Sequence, residues 1–169
     1  MSAVVIDTNV LLVADGQAPH MSGACKITCI ERLERVRSEE QVVLDYGRLI
    51  LDEYHNGLDP NGKPSPGQAF VKWMLQSYSR IDWVTITPTN PEQTMFSEFP
   101  NDAALAAFDP ADRKFVAAAN AHFEKPPILE AADSKWLGWE AGLLPHGIRL
   151  EVLCRNELQA IRQQKTGEA

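Results

Sequence analysis

The run Ala3-Val4-Val5-Ile6 is followed at once by Asp7, and this junction constrains the fold more than any other stretch. Val4, Val5 and Ile6 show no polar alternation, so the segment suits a strand covered on both faces, as in the middle of a parallel α/β sheet. Asp7 then stands at the strand's C-terminal end, the edge at which open α/β sheets bind ligands. An acid there has a second explanation, because Asp7 or Thr8 can cap the helix that follows. The other carboxylates have to decide between the two.

Downstream, strands and helices alternate. Residues 10–13 read as a short helix ended by Asp15-Gly16. Ser22 caps a longer one in which Ala24, Ile27, Ile30, Leu33 and Val36 are expected to form the packed stripe, with Lys26, Glu31, Arg32, Glu34 and Arg35 facing out. Residues 41–44 read as the second strand, and a helix carrying Asp52, Glu53 and Tyr54 follows. The Pro, Gly, Asn and Asp of residues 56–68 indicate a surface loop before a helix over 69–79. A third strand is expected within 81–87, and a short helix at 102–107. Asp109-Pro110-Ala111-Asp112 is a helix start, with an acid at the cap and proline at the first helical position. That helix should reach Phe123 and stop before Pro126-Pro127. A fourth strand over 128–132 ends at Asp133, a helix over 134–141 is closed by Gly142, a fifth strand covers 148–153, and a last helix spans 156–163. This order predicts a doubly wound, three-layer α/β/α unit with right-handed crossovers.

At 169 residues and 44% hydrophobic, the chain suffices for one cored domain, expected to span residues 1–169. No apolar run reaches the length of a membrane span and no basic, apolar leader precedes the first strand, so a cytoplasmic protein with no membrane partner is expected. Cys25 and Cys29 do not have zinc-knuckle spacing, and Cys25, Cys29 and Cys154 are read as reduced, packed thiols. The net charge of -7 argues against a nucleic-acid binder that relies on a broad basic surface. It does not argue against an enzyme that gathers acids around metal ions.

Asp7 and Asp133 have the same setting, each ending an apolar strand and beginning a helix. Glu53 and Asp112 lie on helical segments that can reach the same sheet edge. Two carboxylates about 4 Å apart repel by roughly 4 kcal/mol at an effective dielectric of about 20, so a cluster of acids requires protons or cations. Oxygen donors without His or Cys suit Mg²⁺ or Mn²⁺. The chemistry this arrangement predicts is metal-dependent hydrolysis. His20, His55, His122 and His146 form no pair with ligand spacing, and no catalytic histidine is expected.

Four segments together resemble the PIN-domain ribonucleases: Ile6-Asp7-Thr8-Asn9, Leu51-Asp52-Glu53-Tyr54, residues 109–117 from Asp109 to Ala117, and Ala131-Ala132-Asp133-Ser134-Lys135-Trp136. The resemblance covers nearly the whole chain. It implies a parallel sheet in the order 3-2-1-4-5 and an endonuclease specific for single-stranded RNA, with Mg²⁺ or Mn²⁺ held by Asp7, Glu53, Asp112 and Asp133 and supported by Asn9. It also brings in, as partners, an antitoxin or other regulatory protein and a second copy of the chain. The stretches 56–68 and 90–108 make this chain longer than the compact toxin type.

Each site residue has a structural rival reading. Glu53 competes with Asp52, and the apolar residues around Glu53 favour it. Asp109 is assigned to the cap and Asp112 to the site, although any acid in a first helical turn is stabilised by the helix dipole. Thr8 and Asn9 either orient the first carboxylate or close the turn. Arg113, Lys114 and Lys135 adjoin the proposed ligands and are the candidates for contacting substrate phosphates, the rival being ordinary solvated charge. The tryptophans are read as packing. Two alternatives to the ribonuclease remain: a metal-binding RNA module with little turnover, and a phosphatase with a nucleophilic aspartate. The second is disfavoured because Asn9 stands where that chemistry usually wants a second acid.

Overall fold

A computed structural model of the chain describes residues 1–59 and 61–167. The first strand, β1 (Ala3–Ile6), is buried at all four positions, which fits its unbroken apolar sequence. It pairs in parallel on both sides: with β2 (Gln41–Asp45) through Ala3 and Val4, and with β4 (Ile128–Glu130) through Val5 and Ile6. The outer strands are β3 (Ile81–Val84) and β5 (Leu150–Val152), giving a parallel sheet in the order β3-β2-β1-β4-β5. The expected three-layer α/β/α architecture is therefore present.

The helices are α1 (Thr8–Ala14), α2 (Gly23–Glu39), α3 (Leu49–Gly57), α4 (Pro66–Gln76), α5 (Arg113–Ala121), α6 (Lys135–Leu143) and α7 (Arg155–Thr166). Helix α5 lies across β1, β2 and β4, while α1, α2 and α4 pack on one another as the opposite layer. Connections from β1 lead outward through β2 to β3, and the chain then returns to the other side of β1 as β4. The order reverses between β1 and β4, and a crevice opens at such a switch point beyond the strands' C-terminal ends. Among the described residues no helix is long and apolar enough to cross a membrane.

Several elements differ from the sequence reading. On α2 the buried residues are Cys25, Cys29, Arg32, Leu33 and Val36, while Ile27 is exposed. A stripe taken every third residue loses about 60° per step on a helix of 3.6 residues per turn, so it drifts around the cylinder. Arg32 is consequently turned inward, where it meets Glu40 and Glu151 at 2.6 Å each. Helix α4 begins at Pro66, inside the expected loop, because Ser65 caps it and proline suits its first position. The proposed start at Asp109 is a 3-10 turn over Pro110–Asp112 that leads into α5. Gly142 does not end α6. A β-carbon there would meet Leu105 Cδ2 at 2.9 Å, and the chain turns instead at Gly147, with φ 75°.

The cysteines are not all reduced. Cys25 and Cys154 form a disulfide, whereas Cys29 is free and buried. The partners are 129 residues apart, so only the closure of the sheet brings the end of β5 beside α2, and local spacing carries no sign of it. Burial, with the charge of Glu130 behind it, pushes the Cys29 thiol up to about 12.

Candidate functional site

Asp7 caps α1 from the end of β1. Its Oδ1 accepts the Asn9 backbone N–H at 2.9 Å and its Oδ2 accepts the Trp136 indole N–H at 2.9 Å. The cap and site readings therefore hold together in one residue. Sequence reading places the tryptophans in packing. Trp136 does pack edge-on against Phe108, but it also orients a carboxylate.

Helix α3 brings Glu53 toward Asp7. Thr8 Oγ1 donates to Glu53 Oε2, and Lys114 Nζ lies 2.7 Å from Oε1. The neighbouring Asp52 is exposed and faces Arg48. Asp7, Thr8, Asn9, Glu53, Asp112 and Asp133 line a common cleft of about 440 Å³. The four acids read from the sequence thus converge, from four separate parts of the chain, at the β1/β4 switch point.

Asp109 acts as the cap: its Oδ1 accepts from Ala111 N at 3.1 Å, and its Oδ2 lies 3.3 Å from Lys135 Nζ. Lys135 is mostly exposed. Arg113 is committed elsewhere, donating to the carbonyls of Phe108 and Ala106 and lying 5.0 Å over the Phe99 ring. It braces the preceding loop and does not line the cleft. Lys114 also donates to the Ala111 carbonyl.

The residue that sequence reading misses is Glu130. It is fully buried at the end of β4. One oxygen, Oε1, accepts from Asn9 Nδ2 at 2.8 Å and from the Asp133 backbone N–H at 2.5 Å, while Asn9 Oδ1 accepts from Ala131 N at 3.0 Å. Asn9 and Glu130 thereby tie the β1 end to the turn that carries Asp133. The other oxygen, Oε2, is buried without a hydrogen-bond partner. A usable signal did exist: Ile128-Leu129-Glu130-Ala131 has the apolar surroundings of a strand covered on both faces, and a charge within it has no route to solvent.

The acids are incompletely compensated. Asp7 is raised well above the ordinary carboxylate value, first by burial and then by the charges of Asp112, Glu130 and Glu53, against the Asn9 N–H. Asp112 is pushed up to about 7 by burial and by Asp109, Asp133 and Glu53, with Lys114 opposing. Burial also drives Glu130 up to about 8, against its hydrogen bonds from Asp133 and Asn9. The cleft is oxygen-rich and net-negative, the donor chemistry that suits a hard divalent cation, but among the described residues no three of its carboxylates stand with oxygens within 4.8 Å of one another. No family model, curated protein or solved structure matched the chain.

Proposed function

We propose that the protein is a metal-dependent endoribonuclease of the PIN-domain kind, hydrolysing phosphodiester bonds of single-stranded RNA with water to leave a 5′-phosphate and a 3′-hydroxyl. The observation that carries this reading is the meeting of Asp7, Glu53, Asp112 and Asp133 in one cleft at the β1/β4 switch point. These four residues would hold Mg²⁺ or Mn²⁺. When bound, the cation supplies neutralising charge for the acids and Lewis-acid polarisation of water and a phosphoryl oxygen.

The chain's own residues have distinct tasks. Trp136 and the Asn9 N–H fix both oxygens of Asp7, so this carboxylate enters the cleft in one orientation. Glu130 and Asn9 hold the turn before Asp133. Lys114 restrains Glu53 from the α5 side. Lys135, exposed beside Asp133 and Asp109, would be the cation that meets a flanking phosphate. Preorganised groups of this kind do not have to be reoriented during reaction.

One observation favours a second reading, a metal-binding RNA module with little turnover. Glu53 accepts from Thr8 and is ion-paired with Lys114, so a cation has to compete with Lys114 for this carboxylate. Incubating end-labelled single-stranded RNA with the protein and Mn²⁺ separates the two. Cleavage that stops with EDTA and with Asp7→Asn supports the nuclease. RNA binding that depends on Mn²⁺ without any cleavage above the Asp7→Asn control selects the module.

A further inference from the structure

Cys25 and Cys29 stand one turn apart on the inner face of α2, and Cys154 immediately precedes α7. Their three sulfur atoms all lie within 4.8 Å of one another. A disulfide accounts for two of them. It leaves unexplained why a third sulfur, fully buried on Cys29, is packed against the same bridge.

Three sulfurs bound to one ion by bonds of about 2.3 Å, in a trigonal plane, lie about 4.0 Å apart. That side length is below the 4.8 Å within which the three atoms already lie, and reaching it requires the bonded sulfurs of Cys25 and Cys154 to separate once the bridge is opened. Two of its corners sit on one helix, which fixes their separation. The third is held close by contacts that do not involve the bridge. Glu157 of α7 accepts from Ser22 N and Ser22 Oγ at 2.6 and 2.7 Å, Glu151 of β5 meets Arg32 of α2 at 2.6 Å, and Leu158 is fully buried. Opening the disulfide would therefore leave Cys154 beside α2.

We infer that Cys25, Cys29 and Cys154, when reduced, form a three-coordinate site for one Cu(I) ion, and that this site and the disulfide are alternative states of the same cluster. Sulfur donors select soft ions. No His, Asp or Glu joins the three sulfurs in this group among the described residues, which favours a three-coordinate ion over the four-coordinate closed sites of structural zinc. Passage between the states is a two-electron step. A dithiol reductant gives two electrons and two protons to the Cys25–Cys154 bond, becoming a disulfide itself and leaving two thiols. The ion then displaces thiol protons to solvent as it binds.

The test uses the full chain, reduced with a phosphine under anaerobic conditions, desalted, and titrated with Cu(I) buffered by bicinchoninate. We expect one equivalent to be withdrawn from the chelator, with sulfur-to-copper absorption in the near ultraviolet, and none to be withdrawn by the oxidised protein. Cys29→Ala should weaken binding by about 100-fold or more, whereas Asp7→Asn should bind copper as the parent does. An identical titration for the parent and Cys29→Ala would overturn the site, as would tighter binding of Zn²⁺ than of Cu(I) or loss of binding in Asp7→Asn. Should Cys29→Ala fail to fold by circular dichroism, maleimide labelling of the reduced parent decides. One equivalent of Cu(I) must protect Cys154, the least buried of the three, and unchanged labelling removes the proposal.

Discussion

Asp7 and Asp45 end neighbouring strands at the same edge of the sheet, and each precedes a helix, yet they do different work. Asp45 is fully buried, and its two oxygens accept the backbone N–H groups of Leu49 and Ile50 at 2.9 Å each. Arg48, at φ 66°, turns the chain so that the first turn of α3 faces this carboxylate. Its charge therefore rests on two backbone donors at the start of a helix. Asp7 has one backbone donor and one indole donor, and it feels Asp112, Glu130 and Glu53 as well. Similar local sequence logic yields an anchor in one strand and a carboxylate crowded by other acids in the next. What separates them is the company supplied by remote segments.

The largest effect should fall on activity at Asp7. Asp7→Asn is expected to reduce Mn²⁺-dependent cleavage of RNA by about 1000-fold or more, equivalent to about 4 kcal/mol of barrier. Its stability without metal should stay within about 1 kcal/mol of the parent, because relief of repulsion offsets the poorer hydrogen bond. Asp45→Ala should do the reverse. It strands two N–H groups and should cost about 2 to 4 kcal/mol in urea denaturation, while the folded fraction cleaves RNA at the parental rate. A variant of Asp7 that unfolds, or a stable but inactive variant of Asp45, would erase the distinction.

Stability against pH tests the charge imbalance without a substitution. Asp112 rises from an ordinary 3.8 to about 7, and Glu130 from 4.5 to about 8. Between about pH 4 and pH 8 the native state therefore holds more protons than the unfolded chain, so metal-free stability should fall as pH rises. The decline should be spread across the interval between each group's ordinary and raised value. Thermal melts across that range should show the decline, with Mg²⁺ flattening it and Glu130→Gln removing the portion nearest pH 8. A flat profile without metal would show the acids to be compensated after all. Smallest of all, Trp136→Phe keeps the packing against Phe108 but withdraws one donor from Asp7. Cleavage should drop by about tenfold, corresponding to about 1.4 kcal/mol, and no change would reduce the indole to packing alone.

Much of the architecture is legible in the sequence because periodicity and punctuation are local. Val4-Val5-Ile6 announces a strand buried on both faces, Ser22 and Asp109 announce their caps, and the alternation of elements gives the layers. Four of the cleft acids can be read for the same reason, as each stands at an element's end or on a helix near it. Glu130 escapes attention because its neighbours Ile128 and Leu129 make it look like one residue of an ordinary strand. The inward turn of Arg32 depends on Glu40 and on Glu151, which lies 119 residues away. The Cys25–Cys154 bridge is likewise a product of closure. Interactions between distant segments leave no periodic trace in the chain, and these are the features that decide charge balance and cross-linking.

The hydrogen bond between Trp136 and Asp7 has an optical consequence. Trp136 is 1% exposed, whereas Trp73, Trp83 and Trp139 are only partly buried, so its fluorescence is expected to form the blue component of the protein's emission. An excited indole responds to charge beside its N–H, and the nearest such charge is the carboxylate expected to receive the cation. A cation bound at this carboxylate should therefore change the colour and intensity of that emission, and a Mg²⁺ titration followed by intrinsic fluorescence would read it without a label or a substrate.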